Sequence, residues 1–297
     1  MRMGAAGSRQ RQGKGMTMRI IHTKEIIRNI RDMCIEANYT LSEDMAEALA
    51  AGVQVETSPL GKKILRQLQE NLEIAEKDRI PICQDTGMTV VYAQVGQEVV
   101  VEGGSLTDAI HEGVRQGYVD GFLRKSVVED PIERKNTQDN TPAIIHYDIV
   151  PGREVVLTVA PKGAGSENMS RLVMLKPADG WEGVKQVILD TVREAGPNAC
   201  PPIVVGVGIG GNFEKCAEMA KQALTRELYE ESPIPYVREL EAEMLEKINQ
   251  MGIGPAGLGG SVTALAVNIE TYPTHIASLP VAVNICCHVN RHVRRVL

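Results

Sequence analysis

The sequence contains six cysteines, and their neighbours differ in kind. Cys34 and Cys216 lie at helical spacing among apolar residues, so we interpret them as core residues. The others stand in interrupted segments, PICQDTG, GPNACPP and NICCHVNRH. Because proline stops regular structure, these segments are predicted to be loops or element ends, where ligands from distant parts of a chain can converge. The cysteines concerned are Cys83, Cys200, Cys286 and Cys287.

A metal site is one interpretation of three of these thiols. Cys83, Cys200 and Cys287 are separated by 117 and 87 residues (200 − 83 and 287 − 200), so they form no local metal-binding pattern. The sequence has no C-x-x-C motif, which excludes zinc ribbons and ferredoxin-type clusters. From spacing alone, a three-cysteine iron–sulfur site stays open. So does the alternative of core cysteines, which burial statistics favour.

Groups that could move a proton or bind an anion lie beside the same kind of segment. Asp85 follows Cys83 closely and could act as a general acid or base. His275 could exchange a proton with it, since histidine titrates near neutrality. The amides around 163–166 could receive a substrate carboxylate. Taken singly, such residues are more often structural, but their occurrence together with the cysteine loops favours a functional site.

The segment GVGIGG suggests a different kind of site. Gly206, Gly208 and Gly211 satisfy G-x-G-x-x-G between a predicted strand and a predicted helix. In a dinucleotide-binding protein, backbone amides at such a helix N-terminus receive the pyrophosphate. Here the motif comes late in the chain, without a clear βαβ unit. We therefore favour close strand-to-helix packing as the reason for the glycines, and keep a nucleotide-binding protein as a remote alternative.

The elements that must position these groups are of mixed type. Helical periodicity predicts a helix over 24–37, a second after Thr40, whose spacing to Glu43 fits a capping box, and a third over LGKKILRQLQENLEIAEKD. IIHYDIV and EVVLTVAP, joined by PGR, are predicted to form a β-hairpin, and IVVGVGIGG a buried strand. We predict a mixed α/β (α+β) fold, with a helix-rich N-terminal part followed by a mixed β-sheet flanked by helices.

Composition restricts the class of protein. The chain has 297 residues, 43% hydrophobic and 24% charged, which is typical of a soluble globular protein. The net charge of −6 gives no reason to expect a nucleic-acid or membrane partner, and no long uncharged apolar run predicts a membrane span. Residues 1–20 are interpreted as a flexible basic arm, with a targeting arm as the alternative, and 21–297 as the folded domain. The arm lacks the apolar region of a secretory signal, so we expect a reducing, cytoplasmic compartment.

Several long segments together resemble one family. They are ICQDTGM, LRKSVV, KGAGSENMS, ACPPIVVGVGIGG, GIGPAGLGG and PTHIASLPVAVNICCHVNRH. They resemble the alpha subunit of class I, iron–sulfur-dependent fumarate hydratase and L-tartrate dehydratase, which is equivalent to the N-terminal half of single-chain members. The resemblance implies that 21–297 is a catalytic alpha domain of a hydro-lyase. It implies reversible hydration of fumarate to L-malate, with dehydration of L-tartrate to oxaloacetate as the alternative.

Carried over by position, the resemblance implies that Cys83, Cys200 and Cys287 hold a [4Fe-4S] cluster. Cys287 is matched because it precedes His288, as the family's ligand precedes a histidine, whereas Cys286 has no such counterpart. Three cysteine ligands leave one iron free to act as a Lewis acid on a substrate hydroxyl.

The resemblance also implies the remaining site residues and the partner. Asp85 and His275 match the catalytic positions. Ala164 stands where single-chain fumarases more often have a glycine, which bears on the carboxylate contact. A beta subunit is expected to supply the group for the carbon-bound proton, giving a hetero-oligomer that acts on a small dicarboxylate. The matched substrate-binding positions are Gln84, Arg124, Gly163 and Gly165.

Overall fold

The computed structural model describes residues 18–297. Residues 1–17 of the predicted arm over 1–20 lie outside the described residues. Arg19 and Ile20 already belong to the first strand. The mixed α/β prediction is confirmed, as is the helix-rich beginning of the chain. No helix in residues 18–297 is both long and apolar enough to cross a membrane.

Helices and strands alternate irregularly along the chain. The helices are α1 (Thr23–Tyr39), α2 (Glu43–Val55), α3 (Pro59–Asp78), α4 (Leu106–Asp120), α5 (Ala164–Glu167), α6 (Gly180–Ala195), α7 (Phe213–Ala223) and α8 (Pro235–Asn249). The strands are β1 (Arg19–His22), β2 (Met88–Gly96), β3 (Val99–Glu102), β4 (Ile144–Val150), β5 (Val155–Lys162), β6 (Arg171–Leu175), β7 (Ile203–Gly210), β8 (Ala264–Tyr272), β9 (Leu279–Cys286) and β10 (Val293–Val296). Short 3-10 turns cover Pro177–Asp179, Gly196–Ala199 and Pro255–Gly257.

The start of α2 differs from the prediction. The capping box on Thr40 and Glu43 is wrong, because Ser42 is the N-cap residue and its side chain makes no capping hydrogen bond. Thr40 instead ends α1, where its extended backbone donates its N–H to the carbonyl of Glu36 at 3.0 Å. A residue that closes one helix is therefore unavailable to open the next.

The strands form two four-stranded sheets and a parallel pair, β1–β3. The first sheet has the order β10-β5-β2-β4 and the second the order β6-β9-β7-β8. The predicted hairpin of β4 with β5 is wrong, because β2 lies between them, parallel to β4 and antiparallel to β5. Burial explains the difference: β2 is buried along most of its length and takes the interior position, whereas β4 is largely exposed and takes the edge.

The second sheet positions the candidate site. Residues of α6 and α8 pack on one face of β7, against Val205, Val207 and Ile209. On the other face, a Cβ at Gly206 would lie 2.1 Å from the backbone oxygen of Ala220 in α7, and one at Gly208 would lie 2.1 Å from that of Cys216. Close approach of α7 to β7 therefore accounts for both glycines.

The connection from β7 to β8 shows a feature that the sequence did not reveal. The two strands are parallel neighbours joined through α7 and α8, so GVGIGG does lie in a βαβ connection. However, Gly206 and Gly208 lie inside the strand, whereas a dinucleotide fingerprint places its first glycine in the tight turn after the strand. The glycine spacing follows from packing against α7.

Candidate active site

The ends of β7 and β9 bring two of the predicted cluster cysteines together. The strands are antiparallel, with Val204 opposite Cys286. Cys200 lies just before β7 and Cys287 just after β9, so both lie at the same end of the sheet. The contact between Nδ1 of His288 and the backbone oxygen of Cys200, 3.0 Å, joins the two segments directly. Cys200 itself is exposed.

Cys83 joins them from the loop between α3 and β2. Its half-buried side chain packs against the same hydrophobic cluster as Cys287, a cluster that includes Val204 and Cys286. Burial, and then the nearby thiol group of Cys83, raises the pKa of the Cys200 thiol. Thus three thiols from three distant segments lie at one end of the second sheet, and all are free of disulfides.

The adjacent thiols Cys286 and Cys287 lie among positive charges. The pKa of Cys286 is lowered to about 6, first by a hydrogen bond with Cys287 and then by nearby cations. The same contact, together with burial, raises the pKa of Cys287, because the pair shares one proton. These surroundings favour a thiolate at Cys286, while the shared proton stays on Cys287 as long as no metal is bound. The cations are Lys162, Arg291 and Lys221.

The three thiols at this end of the sheet differ from a site for a single metal ion. Within residues 18–297, no three His, Cys, Asp or Glu side chains converge in the way that ligands of one ion do. The donor set, all sulfur, is the one that iron–sulfur clusters use.

Asp85 is held firmly next to these thiols. Its Oδ1 accepts the N–H of Gly87 at 3.0 Å, and its Oδ2 accepts the N–H of Ala164 at 2.8 Å. Its own N–H points to Sγ of Cys83, 3.4 Å away. A Cβ at Gly163 would lie only 3.1 Å from Oδ2 of Asp85, so this position suits glycine. The predicted catalytic carboxylate and the predicted carboxylate-binding loop therefore meet.

The other predicted substrate contacts lie around the same loop. The hydroxyl of Thr86 donates to the backbone oxygen of Arg124 at 3.0 Å, which holds the backbone of Arg124 beside the segment that carries Asp85. The side chains of Arg124 and Gln84 are exposed. Gly165 is exposed as well, and a Cβ there would meet nothing within 4 Å. These groups are thus accessible to a small ligand.

His275 is the one predicted site residue that the structure does not bring to this place. It lies in the loop between β8 and β9, where its Nδ1 accepts the N–H of Ala277 at 3.2 Å. The eight residues of β9 separate this loop from Cys287. At ~3.3 Å per residue, the two ends of the strand are roughly 26 Å apart. Proton exchange between Asp85 and His275 is therefore not possible within one chain in this conformation.

Lys162 is a residue that the sequence reasoning missed. Its side chain is 9% exposed, and its Nζ donates to the backbone oxygen of Ile285 at 2.8 Å and to the hydroxyl of Ser166 at 3.0 Å. Nζ also lies 3.3 Å from Oε2 of Glu167. Lys162 thus connects the predicted carboxylate-binding loop, residues 163–166, to the end of β9, which Cys287 follows. The available signal was a lysine that closes the apolar strand EVVLTVAP.

Arg291 makes a second such link. It is 4% exposed, and its Nη2 donates to the backbone oxygen of Asp85 at 2.5 Å, while its Nε donates to that of Pro161 at 3.2 Å. It thereby joins the segment after Cys287 to the Asp85 loop. Its position inside the quoted motif NICCHVNRH was the signal that could have identified it.

The sequence is similar to known proteins of one family. The model of a family described as fumarate hydratase (Fumerase) matches residues 27–296. A protein of Methanocaldococcus jannaschii, provisionally named an L(+)-tartrate dehydratase subunit alpha, is 44% identical over 262 residues, which are 86% of this chain and 92% of the relative. The L(+)-tartrate dehydratase subunit alpha of Escherichia coli strain UTI89 is 33% identical over 267 residues, 86% of this chain and 88% of the relative.

Proposed function

Because the chain belongs to the fumarate hydratase (Fumerase) family and is therefore a hydro-lyase, we propose that it is the alpha subunit of an enzyme that reversibly hydrates fumarate to L-malate. The observation that carries the proposal is the meeting of Cys83, Cys200 and Cys287 at one end of the second sheet, beside Asp85. This arrangement places possible metal ligands and a carboxylate at the same end of the sheet.

We propose that these three cysteines hold a [4Fe-4S] cluster, with Cys286 as a neighbour rather than a ligand. The all-sulfur donor set supports this assignment, and Arg291 lies close enough to Cys287 to favour its thiolate form. When bound, such a cluster has one iron without a protein ligand, which supplies Lewis acidity toward a hydroxyl group.

The groups around Asp85 suit a substrate with two carboxylates. The exposed guanidinium of Arg124 can hold one carboxylate through two parallel hydrogen bonds, which a lysine cannot reproduce. The open backbone at Gly165 can donate to the other. Gln84, exposed next to Cys83, offers a further amide for orientation.

Asp85 is proposed to move the oxygen-side proton. Its two oxygens already accept backbone N–H groups, which fixes the direction of the carboxylate, and each oxygen keeps a lone pair for the reaction. In hydration, the carboxylate accepts a proton from water as the new C–O bond forms; in dehydration, it returns that proton to the departing hydroxyl.

We propose that two further groups come from other chains. If His275 takes part, it acts at the site of another subunit, because β9 separates it from Cys287. We also propose that a beta subunit supplies the group for the carbon-bound proton. The names of the relatives, which are alpha subunits, support a partner of this kind.

The proposed substrate is tested by assaying two compounds with two protein preparations. The named relatives are tartrate dehydratase subunits, which makes L(+)-tartrate the second candidate substrate. Anaerobically purified chain, alone and with a candidate beta subunit, is assayed with fumarate and with L-tartrate. We expect the chain alone to be at least about 100-fold less active than the pair, since a missing proton-transfer group costs that much. A higher kcat/KM for fumarate supports the first candidate, and a higher value for L-tartrate the second.

Other outcomes of the same experiment contradict the proposal. Full activity of the chain alone refutes a site shared between subunits. Colourless protein that binds NADH favours the nucleotide-binding alternative at GVGIGG.

Lys162 is expected to position the carboxylate-binding loop, residues 163–166. The change Lys162→Met leaves the carbonyl of Ile285 without its donor and frees the loop, so we expect kcat to fall roughly 10- to 100-fold. Lys221→Met is the matched control, because Lys221 also pairs with Glu167 but has no bond to Ile285. We expect the control to lose less than about threefold, well under 1 kcal/mol. Measured kcat and KM that are the same for both variants would show that Lys162 has no positioning role.

A further inference from the structure

Strand β4 is an edge strand with unusual exposure. Among residues 18–297 it pairs with β2 alone, and its other edge is open. Its sequence, IIHYDIV, contains neither lysine nor proline. Ile144 is 44% exposed, Tyr147 43% and Ile149 66%. An open apolar edge of this length is a template for pairing with another strand, and natural proteins usually protect it.

The other edges of the two four-stranded sheets are protected, and the strands of the β1–β3 pair are only four residues long. β10 is four residues long and carries Arg294 and Arg295, and β6 is five residues long and begins with Arg171. β8 is mostly buried by the rest of the chain. Positive charge, shortness and burial are devices that prevent edge pairing. β4 uses none of them, so it is the edge suited to an intermolecular partner.

We propose that β4 pairs antiparallel with β4 of a second copy of this chain, centred on Tyr147. In that register, each His146 lies opposite the Asp148 of the copy, and Tyr147 lies opposite itself. Ile144 then faces Val150, and Ile145 faces Ile149, so apolar residues meet apolar residues. The strand is therefore complementary to itself in hydrophobicity, and His146 and Asp148 can form a hydrogen bond across the pair.

Neighbouring registers lack this complementarity. A slip of one residue in one direction places Asp148 opposite Ile145, and a slip in the other places His146 opposite Ile149. Both bury a polar side chain against an isoleucine without a partner, which is unfavourable. The centred register closes on itself under twofold symmetry, so it gives a dimer.

The side chains at the centre of the strand are already ordered. The ring of His146 stacks on Tyr92, with centroids 5.0 Å apart, and its Nδ1 lies 3.7 Å from Oε1 of Glu218. The hydroxyl of Tyr147 bonds that of Thr107 at 2.7 Å. Because these rings are held in place before association, pairing costs less side-chain entropy.

A charge-swap series tests the pairing by sedimentation velocity on the full-length chain. His146→Asp puts like charges opposite Asp148 twice in each dimer, so we expect the dimer Kd to rise at least about tenfold. The double variant His146→Asp/Asp148→His restores the pair in reverse, and its Kd is expected within about threefold of the unsubstituted chain. Circular dichroism checks that each variant is folded. A double variant as dissociated as the single one overturns the proposal, as does an unsubstituted chain that is monomeric.

Cross-linking tests the register itself. Directly opposite residues in an antiparallel pair have Cα atoms ~4.5–5.5 Å apart, which a disulfide can bridge. Tyr147→Cys is therefore expected to form a covalent dimer on mild oxidation, above the background of the native cysteines. Ile149→Cys is the control: it is more exposed, but its copy would lie four residues along the strand, roughly 13 Å away.

Equal cross-linking of both variants overturns the register. If the backbone N–H groups of β4 become protected from hydrogen exchange only when a beta subunit is added, the self-pairing is overturned. The test is independent of the proposed reaction, because it needs no activity.

Discussion

Replacing Asp85 by asparagine is expected to lower kcat about 10³-fold, because the reaction loses the group that moves the oxygen-side proton. The amide of asparagine can still accept one of the two N–H groups, from Gly87 or Ala164, so the loop is expected to keep its fold. The cysteines are unchanged, so the visible absorbance and iron content of the anaerobic protein should equal those of the unsubstituted chain. Steady-state kcat with the preferred substrate, measured together with the spectrum, checks both expectations.

The chain offers a matched control for this variant. Asp130 is also a turn carboxylate that accepts two backbone N–H groups, from Ile132 at 2.7 Å and Glu133 at 2.8 Å, but it lies in the polar loop 125–140. Asp130→Asn should keep kcat within about twofold, as surface substitutions usually do. If Asp85→Asn kept more than a tenth of the activity, Asp85 would be a structural residue rather than the proton-transfer group.

Local patterns in the sequence were sufficient to predict many of the helices and strands and the burial of two of the cysteines. Helical spacing placed Cys34 and Cys216 in the core, and both are fully buried. The apolar run IVVGVGIGG gave a strand that is buried throughout. These features depend on neighbours three or four residues away, or on the residue's own hydrophobicity, so they can be predicted without tertiary structure.

Strand order was not accessible in this way. The hairpin prediction for β4 and β5 failed because β2, more than 45 residues earlier, competes for the interior position between them. Such competition compares the burial of distant segments, which no local pattern contains. The same limit applies to His275, whose distance from Cys287 is set by the antiparallel pairing of β9 with β7.

The buried cations were missed for a related reason. Lys162 and Arg291 have as partners backbone carbonyls of residues 123 and 206 positions away, in Ile285 and Asp85 respectively. Every residue has a backbone carbonyl, so the sequence does not show which carbonyl accepts a hydrogen bond from a buried lysine or arginine. In the sequence, such a residue cannot be distinguished from a surface residue. The predicted meeting of Cys83 with Cys200 and Cys287 came from family resemblance, since their spacing alone left core cysteines as the better-supported alternative.

The second large effect is expected from serine substitutions at the three cysteines. Cys83→Ser, Cys200→Ser and Cys287→Ser should each remove a thiolate ligand, and a serine hydroxyl is a poor replacement for it. We expect each variant to lose most of its bound iron and to lower activity at least about 10³-fold, since the Lewis-acid chemistry goes with the cluster. The free thiols lie in three separate segments, so loss at all three positions would require one shared centre.

Cys286 provides the sharpest control, because it adjoins Cys287 and is 3% exposed, yet is proposed not to be a ligand. The decisive measurement is therefore the iron and sulfide content, with the visible absorbance, of anaerobically reconstituted Cys286→Ser and Cys287→Ser beside the unsubstituted chain. We expect Cys286→Ser to keep the iron, sulfide and brown colour of the unsubstituted protein, and Cys287→Ser to lose them. Equal iron and colour in both variants, or their loss from Cys286→Ser alone, would contradict the three-cysteine cluster on which the proposed function rests.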